Sequence, residues 1–342
     1  MTQVPRLRLV LAFLAIYLIW GSTYLAIRFA IETIPPFLMA GSRFLLAGAV
    51  LYAIVRPRCP APTAGNWRAA GLIGGLLLLG GNGAVCWAET RVPSGMVALM
   101  IGAMPLWIAL LGWALPGGTR PTARMCFAIG LGLVGVALIV GPEQFAGGRR
   151  IDPLGALAIL VSTLCWATGS LLSRRVNLPG SPFLATAMEM LAGGALLSVA
   201  GLALGEHRSF DPAAVSLRSL LAVLYLLVFG SLIAFTAYIW LLQVTSPVKV
   251  ATYAYVNPVV AVFLGWALAD EPVSLRTGLA AAAILGAVVV ITRAAGGGSG
   301  GAGAGAGALR GDGEVPRGGR PRRGGNRAVS SPGEVRISIE GN

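Results

Sequence analysis

Apolar residues along this chain fall in long runs, not in alternation. Stretches of roughly 20 predominantly apolar residues follow one another at about 8 to 27, 36 to 55, 69 to 88, 94 to 115, 124 to 141, 153 to 173, 182 to 204, 217 to 242, 247 to 269 and 275 to 293, separated by short loops rich in Pro, Gly and Arg. As helix, a run of that length crosses a hydrocarbon core ~30 Å thick. The pattern predicts an all-α integral membrane protein with ten transmembrane helices. The first run offers no small-residue cleavage pattern around Ile16–Tyr24 and continues into the next, so it reads as a retained span.

Composition agrees: 56% of the 342 residues are hydrophobic and 11% charged, and mean hydropathy is +0.78. No soluble domain of this size would cover so much apolar surface. The net charge of +13 is nearly all arginine, and its placement orients the chain. With ten spans, Arg6, Arg8, Arg56, Arg58, Arg68, Arg120, Arg124, Arg174, Arg175 and Lys249 share one side with the Arg-rich tail. Arg28, Arg91, Arg149, Arg150, Arg208, Arg218 and Arg276 lie opposite. The bias puts both termini in the cytoplasm, with Arg149-Arg150 an exception to the positive-inside rule.

Several chemistries have nothing to build on. Cys59, Cys86, Cys126 and Cys165 show no paired spacing, and His207, the one histidine, sits in a loop, so no disulfide framework, metal site or His-based triad is expected. No GxxxxGK[ST] loop occurs, and energy for any transport would come from a gradient. No cofactor is expected. From about residue 295 the chain turns Gly- and Arg-rich, a composition that cannot offset the entropy of ordering, and 295–342 reads as a disordered cytoplasmic tail. Its arginines suit anionic lipid headgroups; no nucleic acid partner is expected.

The pentapeptide LGWAL occurs at Leu111–Leu115 and again at Leu264–Leu268, 153 residues on. The same shift aligns Trp87 with Trp240, Ala98 with Ala251 and Pro105 with Pro258. Upstream, a shift of 146 aligns Trp20 with Trp166, Leu45 with Leu191, Gly48 with Gly194, and Pro-Phe-Leu of 36–38 with that of 182–184. Two homologous halves, 1–145 and 150–293, each hold five spans. An odd number inserts the second half upside down, the inverted-repeat arrangement of alternating-access carriers.

The stretches IWGSTYLAIRFAIETIPPFLMAGSRF, GGNGAVCWAETRVPSGMVALMIGAMPLW and SPVKVATYAYVNPVVAVFLGWALADE resemble EamA-type members of the drug/metabolite transporter superfamily, in the group of YedA- and PecM-like exporters. The resemblance covers roughly residues 8 to 293. It implies two inverted five-helix repeats whose first four helices line a central cavity. One departure stands out. The second half has the acidic turn Asp270-Glu271-Pro272 where the first has Pro116-Gly117-Gly118-Thr119-Arg120.

Ionisable residues at membrane depth are costly and point to function. Arg43 and Glu189 are equivalent under the 146-residue shift and enter from opposite faces, which leaves ~10 Å of depth between them. They are candidates for coupling or gating, with Glu189 exchanging a proton; a fixed pair that only holds the repeats in register is an equal alternative. Met96, Met100 and Met104 recur on one face, and their shifted equivalents are Lys249, Tyr253 and Asn257. A soft wall opposite a cation, a phenol and an amide suits amphipathic organic solutes, including carboxylates. Against this, a Met stripe is commonly packing, and Lys249, the only lysine, stands where it would snorkel.

Asn82 lies between glycines that permit close approach, and Trp20 and Trp166 are placed to stack on a ring. Ser22, Thr23, Tyr24, Thr168, Ser170, Ser231, Thr236 and Tyr238 are expected mostly to satisfy neighbouring helices. Pro105 and Pro258, mid-span, are expected as hinges. The candidate substrate-binding set is therefore Trp20, Asn82, Met100, Met104, Trp166, Lys249, Tyr253 and Asn257.

These features predict a secondary carrier of small organic metabolites or drug-like molecules in the cell inner membrane, working as an exporter, with membrane lipids and a coupling proton as its other partners. A channel, or a lipid-modifying membrane enzyme, is the rival; Glu89, Asp270 and Glu271 are too scattered to favour the enzyme. The sequence does not choose between monomer and homodimer.

Overall fold

The computed structural model describes residues 5–92, 97, 100–116, 118, 120–140, 152–260 and 275–297. The second LGWAL, the Asp270-Glu271-Pro272 turn, Met96, Arg149-Arg150 and the chain from 298 onward lie outside them. Every regular element among the described residues is helical: α1 (Arg6–Ala30), α2 (Pro36–Val55), α3 (Ala64–Ala88), α4 (Met104–Ala114), α5 (Ala123–Val140), α6 (Pro153–Leu172), α7 (Pro182–Ala203), α8 (Leu217–Val244), α9 (Pro247–Val250) and α10 (Leu275–Gly297). The six helices α1, α2, α3, α6, α7 and α8 are long and apolar enough to cross a membrane, and Met104–Ala114, Ala123–Leu138 and Gly278–Ile291 are shorter apolar helices. α10 continues through Gly297, so residues 295–297, expected in the tail, are helical. The preceding Ala294-Ala295 favours helix and carries the pattern into the first glycines.

The helix starts follow from local chemistry. Pro opens α2, α6, α7 and α9, where its missing N–H costs nothing. Asp152, Ser181 and Ser246 cap α6, α7 and α9 by accepting from backbone N–H groups one turn on. α2 has no cap of its own. Instead the Glu206 carboxylate, from the segment after α7, accepts the N–H groups of Phe37 at 3.1 Å and Leu38 at 2.8 Å. An anion at a helix N-terminus satisfies orphan donors and opposes the positive end of the dipole. Gly205, at φ 80, makes the reversal that brings Glu206 there.

α2 and α7 run antiparallel and form the closest-packed pair. A Cβ on Gly48 would meet the backbone nitrogen of Leu191 at 2.8 Å, and one on Gly194 would meet that of Leu45 at 2.8 Å. These two contacts exchange under the 146-residue shift. Glycine is required because the backbones touch, the small-residue packing that lets membrane helices associate without a hydrophobic driving force.

α3 and α8 share a second irregularity. Each contains a π-helical stretch at its centre, Gly75–Gly83 in α3 and Leu226–Phe235 in α8. Such widened turns leave carbonyls free to accept other donors. Gly81 O accepts from Ser162 Oγ of α6 at 2.8 Å, and Gly230 O accepts from Trp20 Nε1 of α1 at 3.3 Å. In each case the donor comes from the other half of the chain.

Candidate functional site

The π-helical centres of α3 and α8, with α1, α2, α4, α6 and residues 253–257, line a cavity. α1 contributes Trp20, Thr23, Tyr24 and Ile27; α2 contributes Arg43 and Phe44; α3 contributes Gly81, Asn82 and Val85. Met104 opens α4, with Ile101 just before it. Ser162, Thr163 and Trp166 come from α6, Gly230 and Phe235 from α8, and Tyr253 and Asn257 from the helical turns 253–260.

Seven of the residues expected from sequence therefore meet at one place: Trp20, Arg43, Asn82, Met104, Trp166, Tyr253 and Asn257. Met100, Lys249 and Glu189 are not among the lining residues. Met100 packs, half-buried, against the core. Lys249 ends the short α9, its backbone N–H accepted by Ser246 Oγ. The register placed it opposite Met96, but the chain turns at Ala251–Thr252 before Tyr253 resumes the helix, so the expected Lys249–Tyr253–Asn257 face is broken after its first member. Pro105 stands in the first turn of α4, after a turn at Gly102-Ala103, and Pro258 lies inside 253–260.

The lining that sequence reasoning missed was within reach of helical spacing. Thr23 and Tyr24 follow Trp20 by one turn, and Ser162 and Thr163 precede Trp166 by one turn. α1 and α6 thus pass the cavity in opposite senses. Of the other intramembrane hydroxyls, Ser22 donates to Ile19 O at 2.7 Å, Thr168 to Leu164 O at 2.7 Å and Ser170 to Trp166 O at 2.5 Å. These bonds stay within their own helices; Ser22 and Ser170 also meet the Tyr225 and Tyr238 hydroxyls of α8, the interhelical role expected of them, and Thr168 shows only the intrahelical one. Ser231 Oγ and Thr236 Oγ1 are buried without a partner among the described residues.

On the side of the chain's N-terminus the cavity rests on an aromatic layer. Trp20 lies edge-on to Tyr253 at 4.8 Å and to Trp166 at 5.6 Å between ring centroids, with Tyr238 5.1 Å away. Tyr238 accepts from Trp166 Nε1 at 2.8 Å and shares a 2.5 Å hydrogen bond with Ser170. Below, Tyr17 and Thr252 hydroxyls meet at 2.6 Å. Edge-to-face packing and satisfied polar tips make this layer stiff.

Arg43 is the cavity's cation. It is 3% exposed, its Nη2 donates to Asn82 Oδ1 at 2.8 Å, and its guanidinium lies 4.3 Å from the centre of the Phe44 ring. Its Nε has no partner, and among the described residues no carboxylate pairs with it. Glu189 is fully buried, and both its oxygens lack hydrogen-bond partners. The contacts of α2 with α7 set Arg43 and Glu189 about seven residues apart in height, ~10 Å. That agrees with the depth expected from the repeat, and the two are not a salt bridge.

Just past α3, one turn beyond the lining residue Val85, Glu89 has both oxygens buried without partners among the described residues and lies within electrostatic reach of Tyr24 and of Arg28. Beside it Arg91 covers the Trp87 ring at 4.5 Å and donates to Asp152 at 3.1 Å. That hydrogen bond, with a second from the Leu154 N–H, holds the Asp152 carboxyl below its ordinary value. Among the described residues no cluster of His, Cys, Asp and Glu is built to hold a metal.

The same succession of helices is found in known proteins. The EamA-like transporter family matches residues 7–141 and again 153–293. The chain belongs to the EamA-like transporter family. It is 41% identical over 283 residues to the uncharacterized inner membrane transporter YedA of Escherichia coli (strain K12), covering 82% of this chain and 89% of that one. Protein PecM of Dickeya dadantii is 27% identical over 80% of this chain and 86% of its own. A probable amino-acid metabolite efflux pump of Salmonella typhimurium is 25% identical over 81% and 90%. A solved crystal structure superposes with a TM-score of 0.68 at 25% identity, over 85% of this chain and 98% of that one.

Proposed function

We propose that this EamA-like protein is a secondary carrier that exports small organic metabolites or drug-like molecules across the inner membrane by alternating access. Its halves, 1–145 and 150–293, act as inverted five-helix repeats, ten spans in all, with both termini cytoplasmic. The observation that carries this reading is the cavity itself, walled by α1 to α4 from one half and α6, α8 and 253–257 from the other. It ends on an aromatic layer instead of continuing as a pore, which favours a carrier over a channel.

Glu189 serves as the proton-exchanging group, since a carboxylate buried without partners is tolerable chiefly when it is neutral in part of the cycle. Pro105, after the turn at Gly102-Ala103, and Pro258, within the helical residues 253–260, serve as hinges. Membrane lipid surrounds the bundle. The test is uptake into liposomes holding the purified protein, after screening amino acids, nucleosides, sugars and aromatic ions for thermal stabilisation. Wild type is expected to accumulate a stabilising solute under a pH gradient. Glu189→Gln is expected to exchange the solute without accumulating it. Flux through wild type that never saturates would overturn the carrier reading, and pH-driven accumulation by Glu189→Gln would overturn the coupling role.

A further inference from the structure

Arg43 poses a problem that the carrier reading leaves open. A buried guanidinium is never deprotonated and is strongly disfavoured without an anion. Here it faces a cavity with one donor engaged by a neutral amide, Nε unpartnered, and no carboxylate pairing with it among the described residues. Arg43 is also held in place. Asn82 Oδ1 fixes one nitrogen, and Cys86 Sγ lies 3.5 Å from the same oxygen, tying the guanidinium to α3. A fixed, under-coordinated guanidinium at a cavity wall is a carboxylate receptor, because its fork matches the two oxygens.

Apart from Arg43 the wall is uncharged: Thr23, Tyr24, Asn82, Ser162, Thr163 and Asn257 supply neutral polar groups, and the remainder is apolar or aromatic. Trp20, Trp166 and Tyr253 form the floor, and Phe44 lies against the cation, with Phe235 edge-on to the Phe44 ring at 6.0 Å. Neither of the buried carboxylates among the described residues, Glu89 and Glu189, lines the cavity. Glu89 lies seven residues beyond Asn82 along α3, ~10 Å. In an α-amino acid the ammonium sits within about 3 Å of the carboxylate oxygens. With its carboxylate on Arg43, such a molecule would press its ammonium toward the guanidinium, far from Glu89.

We propose that the cavity takes an aromatic organic monoanion, its carboxylate on Arg43 and its ring on the Trp20–Trp166–Tyr253 floor, and discriminates against a cationic centre next to that carboxylate. The proposal rests on the carrier reading for its meaning as a substrate class, and its binding chemistry is tested separately. The cation that matters is Arg43, not Lys249.

Four probes with a shared phenyl tail decide it: 3-phenylpropanoate, its neutral amide 3-phenylpropanamide, the zwitterion phenylalanine and the cation 2-phenylethylamine. Binding to the purified full chain is measured by thermal shift and calorimetry. 3-Phenylpropanoate is expected to bind about tenfold to hundredfold more tightly than the other three, the range of a buried charge-assisted hydrogen bond. Arg43→Gln is expected to bring the propanoate down to the level of the amide while the amide still binds, which shows an intact cavity.

If Arg43→Gln does not fold, the four affinities of the wild-type protein decide alone. Equal or tighter binding of phenylalanine, or of the amine, overturns the proposal. So does a preference for the anion that survives Arg43→Gln. Arg43-dependent binding without flux in liposomes supports the site and overturns the carrier. Flux of cationic or neutral solutes, with no binding of the anion, leaves the carrier standing and overturns the site.

Discussion

At the scale of single residues, the ion pair between α3 and α6 gives the clearest pH prediction. Arg91 and Asp152 join the end of α3 to the start of α6, with side chains 44% and 27% exposed. The folded Asp152 carboxyl titrates below its ordinary value of about 3.9. Its contribution is therefore complete above that value and is lost as pH falls through the lower, folded one. Comparing melting temperatures of wild type and Asp152→Asn, the small difference expected near neutral pH should shrink and vanish as the solution is acidified through the lowered, folded value. A difference that grows on acidification would refute this. Residues also mark the limit of what the sequence disclosed. The depth offset of Arg43 and Glu189 was legible, because a repeat plus a fixed helical rise sets heights. Which way each side chain points was not, because rotation about a helix depends on its partners; Arg43 reaches the cavity and Glu189 does not.

Elements carry the next level of constraint. Six of the long apolar runs are helices of membrane-crossing length and three more contain shorter apolar helices, as expected where lipid leaves the backbone no other partner. The π-helical centres of α3 and α8 were invisible, since the donors that stabilise them, Ser162 and Trp20, arrive from distant parts of the chain. Two consequences can be measured. Gly194→Val places a side chain against the Leu45 backbone and the Gly41 carbonyl, and overpacking of this kind should cost roughly 1–3 kcal/mol, seen as a lower melting temperature. Gly71, with nothing within 4 Å of a built Cβ, supplies the control: Gly71→Ala should be neutral or stabilising by a few tenths to about 1 kcal/mol. Glu206→Ala should lower stability by roughly 1 kcal/mol by removing the only cap on α2, and Glu206→Gln should lose less, since an amide oxygen still accepts. Equal losses in the two Glu206 variants would mean that the contact acts through something other than the cap.

For the whole molecule, the decisive property is inversion, because alternating access by two like halves depends on it. Three features support it independently of the matching letters. Gly48 touches Leu191 as Gly194 touches Leu45. α1 donates to the π-helical carbonyl of α8, and α6 to that of α3. The cavity side chains follow Trp20 in sequence but precede Trp166. If the halves are inverted, homologous loops lie on opposite sides of the membrane. The segment 31–35, between α1 and α2, corresponds under the 146-residue shift to 177–181, before α7. A cysteine in place of Thr33 should react with an impermeant thiol reagent applied to intact cells, whereas one in place of Gly180 should react only after permeabilisation, each in a background with the four native cysteines removed. Labelling of both from the outside would place the halves in parallel, and the inverted repeat would then have to be abandoned whatever the two sequences share.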